Sequence, residues 1–100
     1  MEIQITSRKF RAKDSLKDFI SKKVKTLEKY NNDILDANIV LSYTHQSDSI
    51  KHADIVLQVP GKTLSASEES EDFNVSIDNA VEKLQRQLKK LKTKQISKKR

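Results

Sequence analysis

The chain of 100 residues carries 20 Lys and Arg against 14 Asp and Glu, a net charge of +6, and it contains no cysteine and one glycine. That length suits one domain, the lack of cysteine excludes disulfides and thiolate metal sites, and the single glycine excludes glycine-rich phosphate-binding loops. Because no apolar run reaches the roughly 20 residues that span a bilayer, and because the N-terminus lacks a signal-peptide pattern, we expect a soluble cytoplasmic protein.

The first half of the chain predicts a strand, a helix and a second strand. Residues 2–6 alternate between apolar and polar side chains, which is typical of a half-buried strand. Residues 14–30 carry apolar side chains at spacings of three and four, the pattern of an amphipathic helix. Residues 37–44 alternate again and predict the second strand.

The next segment predicts two more strands joined by turns. Residues 45–49 are polar and indicate a hairpin loop, and residues 52–59 alternate as a strand. Pro60 and Gly61 suit the central positions of a tight turn, and a short last strand over residues 62–67 follows it.

A long amphipathic helix is predicted from Asp72 onward, with apolar side chains at helical spacing as far as Leu91. Residues 95–100 are mostly basic and offer little to bury. We therefore expect one domain over residues 1–94, followed by a basic disordered tail over residues 95–100.

The element order β-α-β-β-β-α predicts an α+β two-layer sandwich, in which a four-stranded sheet carries both helices on one face. Strands joined by short turns pair antiparallel. With both apolar helix stripes buried on one side, the other face of the sheet is left polar. Its predicted residues are Gln4, Thr6, Asn38, Ser42, Gln58 and Ser65.

The charges are segregated along the chain. Residues 1–29 have a net charge of +5, residues 30–82 have −8, and residues 83–100 have nine bases and no acid. The positive ends favour a polyanionic partner, with nucleic acid as the leading candidate and an anionic membrane surface as the second. The acidic middle is expected to lie away from the bases.

The second helix offers the main candidate binding site. At about 100° per residue, four of its bases fall on one flank with no acid between them, and they are Lys83, Arg86, Lys90 and Lys94. Lysine supplies a point charge and arginine a two-pronged donor for phosphate oxygens. This row predicts contact with RNA or DNA, and a solvated helix face is the alternative interpretation.

The first helix offers a second row of bases. Lys22, Lys25 and Lys29 point outward, and Lys23 lies beside the apolar stripe, with nearby acids that would partly neutralise the row. If the two helices pack side by side, Lys23 and Lys83 are expected to flank one groove. The two rows would then form one continuous site.

Enzymatic chemistry is not predicted. His45 and His52 lack suitably placed carboxylates for a metal site, and the acidic run 68–72 is interpreted as the stabilised start of a helix. No serine lies in a nucleophile elbow. We expect no enzyme, no cofactor and no metal, and since aromatic residues fall mostly on apolar stripes, binding should depend on phosphate contact and RNA shape.

Several short motifs resemble the ribosome hibernation promoting factor and ribosome-associated inhibitor (protein Y) family. The opening strand and the Leu-Glu-Lys-Tyr end of the first helix are similar to those of the family. The most specific matches are residues 66–68, 72–73, 77–78 and 83–90. The resemblance extends over residues 2–94.

The resemblance implies a fold similar to double-stranded-RNA-binding domains and binding to the small ribosomal subunit, with its 16S-type ribosomal RNA. Family members occupy the channel for messenger and transfer RNA, which silences translation under stress or in stationary phase. The family's basic positions correspond to Lys83, Arg86, Lys90 and Lys94, and to Lys23 on the first helix. A capping threonine common in the family is Lys13 here, so the helix start is expected to fray.

Within this family the sequence is most similar to the short hibernation promoting type. It ends at Arg100 without the dimerisation domain of long members or the acidic tail of the inhibitor type. The short type implies a possible second small factor for ribosome dimerisation, and the free protein is expected to be monomeric. Two alternatives stay open: a generic double-stranded-RNA-binding module, and a regulatory domain whose acidic middle docks on a basic protein.

Overall fold

Four strands and two helices follow one another in the predicted β-α-β-β-β-α order. The structure, a computed structural model, describes residues 1–44 and 50–98, with side chains as far as Leu91. The elements are β1 (Glu2–Ser7), α1 (Asp14–Lys25), β2 (Asp36–Tyr43), β3 (Lys51–Val59), β4 (Lys62–Ser70) and α2 (Phe73–Lys98). The predicted fold class is confirmed. No helix within the described ranges is both long and apolar enough to cross a membrane.

The strands form one mixed sheet in the order β1-β2-β3-β4. The short connections produce antiparallel pairs, as predicted, and Ile39 of β2 lies opposite Ile55 of β3. β1 instead pairs parallel with β2, placing Ile5 beside Ile39. A parallel pair needs a long crossover connection, and α1 supplies it.

The core lies between one face of the sheet and both helices. Its fully buried side chains include Ile55 and Leu57 from the sheet, Ile20 from α1, and Leu84 from α2. Alternation along each strand turns the other side chains to the opposite face, where the predicted polar residues lie exposed or half-buried. Burial on one face only therefore fixes the register of all four strands.

The first helix ends earlier than predicted. Its α-helical part stops at Lys25, and a 3-10 turn over Thr26–Lys29 replaces the last turn of the predicted 14–30 helix. The Thr26 hydroxyl donates to the Lys23 carbonyl over 2.6 Å, a local bond that competes with regular helix geometry. At the other end, Lys13 is the N-cap and makes no side-chain capping bond.

The last strand is longer than predicted, which corrects the interpretation of the acidic run. β4 continues to Ser70, so Glu68 and Glu69 are strand residues paired with β3 and do not belong to a helix start. The acid that caps α2 is Asp72, whose carboxylate accepts from the Asn74 amide over 2.9 Å. Cross-strand pairing thus overrides the low strand propensity of these glutamates.

One predicted segment lies wholly outside the described residues and another lies partly outside them. The hairpin loop 45–49, including His45, is the first of these. At the C-terminus, α2 has helical backbone through Lys98, beyond the predicted domain boundary at residue 94, and residues 99–100 are not described. The disordered tail over residues 95–100 stays a prediction.

Candidate nucleic-acid interface

Both helices run in the same direction across the sheet, so their basic halves meet. Lys23 near the end of α1 lies 3.2 Å from Asp78 of α2. Further along both helices, the Lys89 ammonium lies 5.4 Å from the centre of the Tyr30 ring. The contacts advance along both helices together, so the helices are parallel. Their C-terminal halves carry the two predicted rows of bases, which therefore lie in the same helical layer.

Four of the predicted bases are exposed and make no ion pair with any residue that the structure describes. They are Lys22, Lys25, Lys29 and Lys90. Three of them lie in the last turn of α1 or the 3-10 turn after it, where positive charge also complements the helix dipole. These four ammonium groups are open to an anionic partner.

The other three bases whose side chains are described are each paired with an acid. Lys83 pairs with Glu68 of β4, Lys23 with Asp78, and Arg86 with Glu82 one turn earlier over 2.7 Å. Lys94, the eighth predicted base, has a side chain outside the described set. The Lys83 and Arg86 side chains keep 52% and 71% of their surface exposed, so the ion pairs leave both open to a ligand. The Lys23 and Arg86 pairs are exposed on both sides, and such pairs contribute about 0–1 kcal/mol and exchange partners readily. In the Lys83 pair, by contrast, the Glu68 side chain keeps only 21% of its surface exposed.

The acidic middle of the sequence is therefore not kept away from the bases, which corrects that expectation. Glu68, Asp78 and Glu82 all lie in the helical layer or reach it. The helical wheel did not reveal Glu68, because that glutamate comes from the neighbouring strand. It lies on the inward face of β4, in line with buried Leu64 and Ala66, and the Lys83 ammonium satisfies it there.

The single groove predicted between Lys23 and Lys83 does not form. Lys23 contacts Asp78, and Lys83, five residues further along α2, lies about 140° around the helix. Lys83 therefore faces β4, on the same side as Gln87, whose amide donates to the Ser65 carbonyl over 2.9 Å. The two lysines lie on opposite flanks of α2.

A different groove lies between the helices. Lys23, Thr26, Lys29 and Tyr30 line one wall, and Asp78, Val81, Glu82 and Gln85 line the other. Lys89 borders its far end over the Tyr30 ring. Lys89 is not among the predicted bases, because it lies on the other flank of α2 from Lys83 and Lys90. The parallel direction of the two helices brings Lys89 beside Tyr30, and this is the feature that adds Lys89 to the candidate site.

The remaining candidate residues do not assemble a reactive site. His52 lies on the outer sheet face, with Nδ1 3.1 Å from a Glu69 carboxylate oxygen. Among the residues that the structure describes, no three His, Cys, Asp or Glu side chains converge on a possible metal position. All five aromatic side chains are at least partly buried, so the layer offers mainly charge to a ligand.

Comparison with known proteins gives a consistent result. A family model described as "Sigma 54 modulation protein / S30EA ribosomal protein" matches residues 3–96. The chain is 34% identical over 97 residues to the ribosome hibernation promoting factor of Escherichia coli K12, covering 94% of this chain and 96% of that protein. It is 28% identical over 92 residues to the ribosome hibernation promotion factor of Deinococcus radiodurans; this covers 90% of this chain but only 48%, about half, of that longer relative.

The same fold occurs in a solved structure. The crystal structure of the Thermus thermophilus protein Y N-terminal domain superposes with a TM-score of 0.81 at 30% identity, covering 91% of this chain and 99% of that one. The family resemblance noted in the sequence is thereby confirmed. The chain belongs to the ribosome hibernation promoting factor and protein Y family, whose family model is described as Sigma 54 modulation protein / S30EA ribosomal protein.

Proposed function

We propose that this protein silences translation by binding the small ribosomal subunit in its decoding region, where it blocks messenger and transfer RNA. The observation that carries the proposal is the single layer of bases on the parallel helices. It contains Lys22, Lys25, Lys29 and Lys90, which have no ion-pair partner in the described part of the chain, and the acid-paired Lys23, Lys83 and Arg86. The names of the relatives support a ribosome as partner.

The mechanism of binding is electrostatic. Ammonium and guanidinium groups that replace the counterions of RNA phosphates release those ions, so affinity falls steeply as salt rises. The half-buried aromatic rings leave little opportunity for base stacking. Recognition therefore depends on the path of the phosphate backbone, which suits a folded ribosomal RNA more than a defined base sequence.

Inhibition follows from occupancy and needs no chemical step. A folded domain that lies where the messenger and the anticodon arms must lie excludes both. Release requires only that the electrostatic contacts be exchanged for competing phosphates, so the block is reversible. The protein acts in this scheme as a non-enzymatic factor that keeps idle subunits in reserve under stress or in stationary phase.

The direct test is sedimentation of the purified protein with purified small subunits on gradients, with large subunits as the control. We expect co-sedimentation with small subunits only. Messenger RNA with initiator transfer RNA should displace the protein, because they compete for one space. If the protein stays bound to small subunits at saturating concentrations of messenger RNA and initiator transfer RNA, its placement in the decoding region is contradicted.

One alternative has an observation in its favour. The outer sheet face carries acids on all four strands, among them Glu2, Asp36 and Asp54, and suits a basic protein surface. Docking by that face predicts that affinity for the subunit depends only weakly on salt, because few phosphate counterions are released. A steep salt dependence of the affinity would contradict docking by the outer sheet face. Weak binding to free duplex RNA compared with small subunits would contradict a generic duplex-RNA binder.

A further inference from the structure

The loop between β1 and α1 carries a second concentration of positive charge that the helical rows do not include. Residues 8–13 contain four bases and no acid, and we call Arg8, Lys9, Arg11 and Lys13 the loop bases. All four side chains are exposed, and none makes an ion pair with a residue that the structure describes.

An aromatic cluster holds this loop in place. The Phe10 ring stacks on Phe73 at the start of α2, with centroids 5.3 Å apart and planes inclined by 12°. The same ring meets Tyr43 of β2 edge-on, also at 5.3 Å. Ala12 is 5% exposed and anchors the end of the loop in the core. Phe10 and Ala12 thus point inward between bases that point outward.

The backbone of the loop is also fixed and locally strained. The Arg8 amide donates to the Leu41 carbonyl over 2.9 Å, which extends the β1–β2 pairing. Lys9 has a φ of 64°, a left-handed conformation that is unfavourable for a residue with a side chain. Its carbonyl accepts from the Tyr43 hydroxyl over 3.4 Å. Strain of this kind persists where surrounding contacts determine the backbone, and it often marks functional sites.

The loop lies at the opposite end of the helical layer from most of the helical bases. α1 contains 12 residues, and the 3-10 turn that follows it adds four more and ends at Lys29. At the rise of each helix type, Lys29 therefore lies about 25 Å from the loop. Lys90 is separated from Phe73, which touches the loop, by a similar length of α2.

We propose that the loop bases form a second, preorganised phosphate-binding site, which contacts an RNA segment distinct from the one held by Lys29 and Lys90. This inference rests on the proposed function, since it takes the ribosomal RNA as the shared ligand. A rigid loop loses little conformational entropy on binding, so its cations contribute more than those of a mobile tail. Two sites on one rigid body bind one folded RNA cooperatively, because the first contact raises the effective concentration of the second.

The test uses the double variant Arg8→Gln, Arg11→Gln, which removes two exposed cations and leaves Phe10 and Lys9 in place. Its control is Lys62→Gln, an exposed lysine at the start of β4, away from the loop. Small-subunit affinity is measured across a series of salt concentrations for both variants and the wild type. An unchanged melting temperature confirms that each variant is folded.

We expect the loop variant to bind about 10-fold or more weakly at moderate salt, with a log–log salt slope lower by roughly 1.5 for two lost phosphate contacts. The control should keep the wild-type slope. Combined with Lys90→Gln, the fold losses should multiply, because residues this far apart share no contacts and their effects on the binding free energy add.

Three results overturn the inference. A loop variant with wild-type affinity and slope excludes the second site while leaving the proposed function intact, provided that the wild type binds. Losses that fail to multiply with Lys90→Gln show that both groups contact the same phosphates. A wild-type protein that does not bind small subunits at all removes the proposed function itself, which distinguishes the two failures.

Discussion

The two faces of this domain differ sharply in charge. The outer sheet face carries 15 residues of the paired strands, of which four are acidic and none is Lys or Arg. The acids are Glu2, Asp36, Asp54 and Glu69. The helical layer on the opposite side carries the predicted bases. The two-residue period of the strands thus turns part of the acidic middle of the sequence into one acidic surface.

The segregation is incomplete, and the exceptions are instructive. Glu68 lies on the inward side of β4, one residue from outward Glu69, and therefore meets Lys83 on α2. Asp78 and Glu82 lie on α2 itself and pair with Lys23 and Arg86. Net charge along a segment therefore does not equal net charge on a face, because alternation and helix geometry redistribute neighbouring residues.

The largest expected effect comes from removing a buried side chain from the core, which lies between the sheet and the helices. Leu84→Ala removes a fully buried side chain of α2 and should lower the free energy of unfolding by about 2–5 kcal/mol. The matched control is Val75→Ala on the same helix, where the side chain is 46% exposed and the expected change is under about 0.5 kcal/mol. Urea titration followed by circular dichroism measures both. Equal losses would contradict the packing of α2 described above.

Removing the bases that have no ion-pair partner among the described residues should weaken binding without affecting the fold. The triple variant Lys25→Gln, Lys29→Gln, Lys90→Gln is expected to lose about 100-fold in small-subunit affinity at moderate salt, from three lost phosphate contacts. Fluorescence anisotropy of the labelled protein measures the change.

A matched control places the same charge change on the other face. Thr63→Glu, Ser65→Glu, Ser67→Glu also lowers the net charge by three, at exposed positions of the outer sheet face. We expect it to change affinity by only a few-fold through long-range repulsion. If both triple variants lose affinity equally, net charge alone governs binding and the distinction between the faces is wrong.

The smallest effect concerns the acids that accompany the bases. Glu68→Gln and Asp78→Asn free Lys83 and Lys23 from their ion pairs. Because such pairs are worth up to about 1 kcal/mol, each change should tighten binding by up to about fivefold. Asp54→Asn on the outer face should have less effect. Weaker binding by Glu68→Gln would show instead that Glu68 orients Lys83 for its ligand.

The sequence predicted the fold well because its local patterns agree with one another. Alternation marked all four strands, and the apolar stripes placed both helices on one sheet face. The failures have tertiary causes. The extension of β4 through Ser70 depends on pairing with Lys51 and His52 of β3, and the shortened α1 depends on the Thr26 hydroxyl bond. Neither is visible in periodicity.

The candidate site was predictable in composition but only partly in geometry. A helical wheel shows which bases share a flank, as it did for Lys83 and Lys90, but it cannot show what packs against that flank. For this reason the Glu68 contact and the opposite placement of Lys23 and Lys83 became visible only in the structure. Periodicity does not mark the loop bases as a site, since the aromatic cluster that orders them joins distant parts of the chain.

The most direct measurement of which face meets the ribosome uses the absence of native cysteine. Asn79→Cys on α2 and Ser67→Cys on the outer sheet face are both at exposed positions and accept a tethered iron chelate. Hydroxyl radicals generated in the complex with small subunits then cleave nearby ribosomal RNA. The proposal predicts strong cleavage in the decoding region from position 79 and little from position 67; the reverse pattern, or cleavage elsewhere in the RNA, would contradict it.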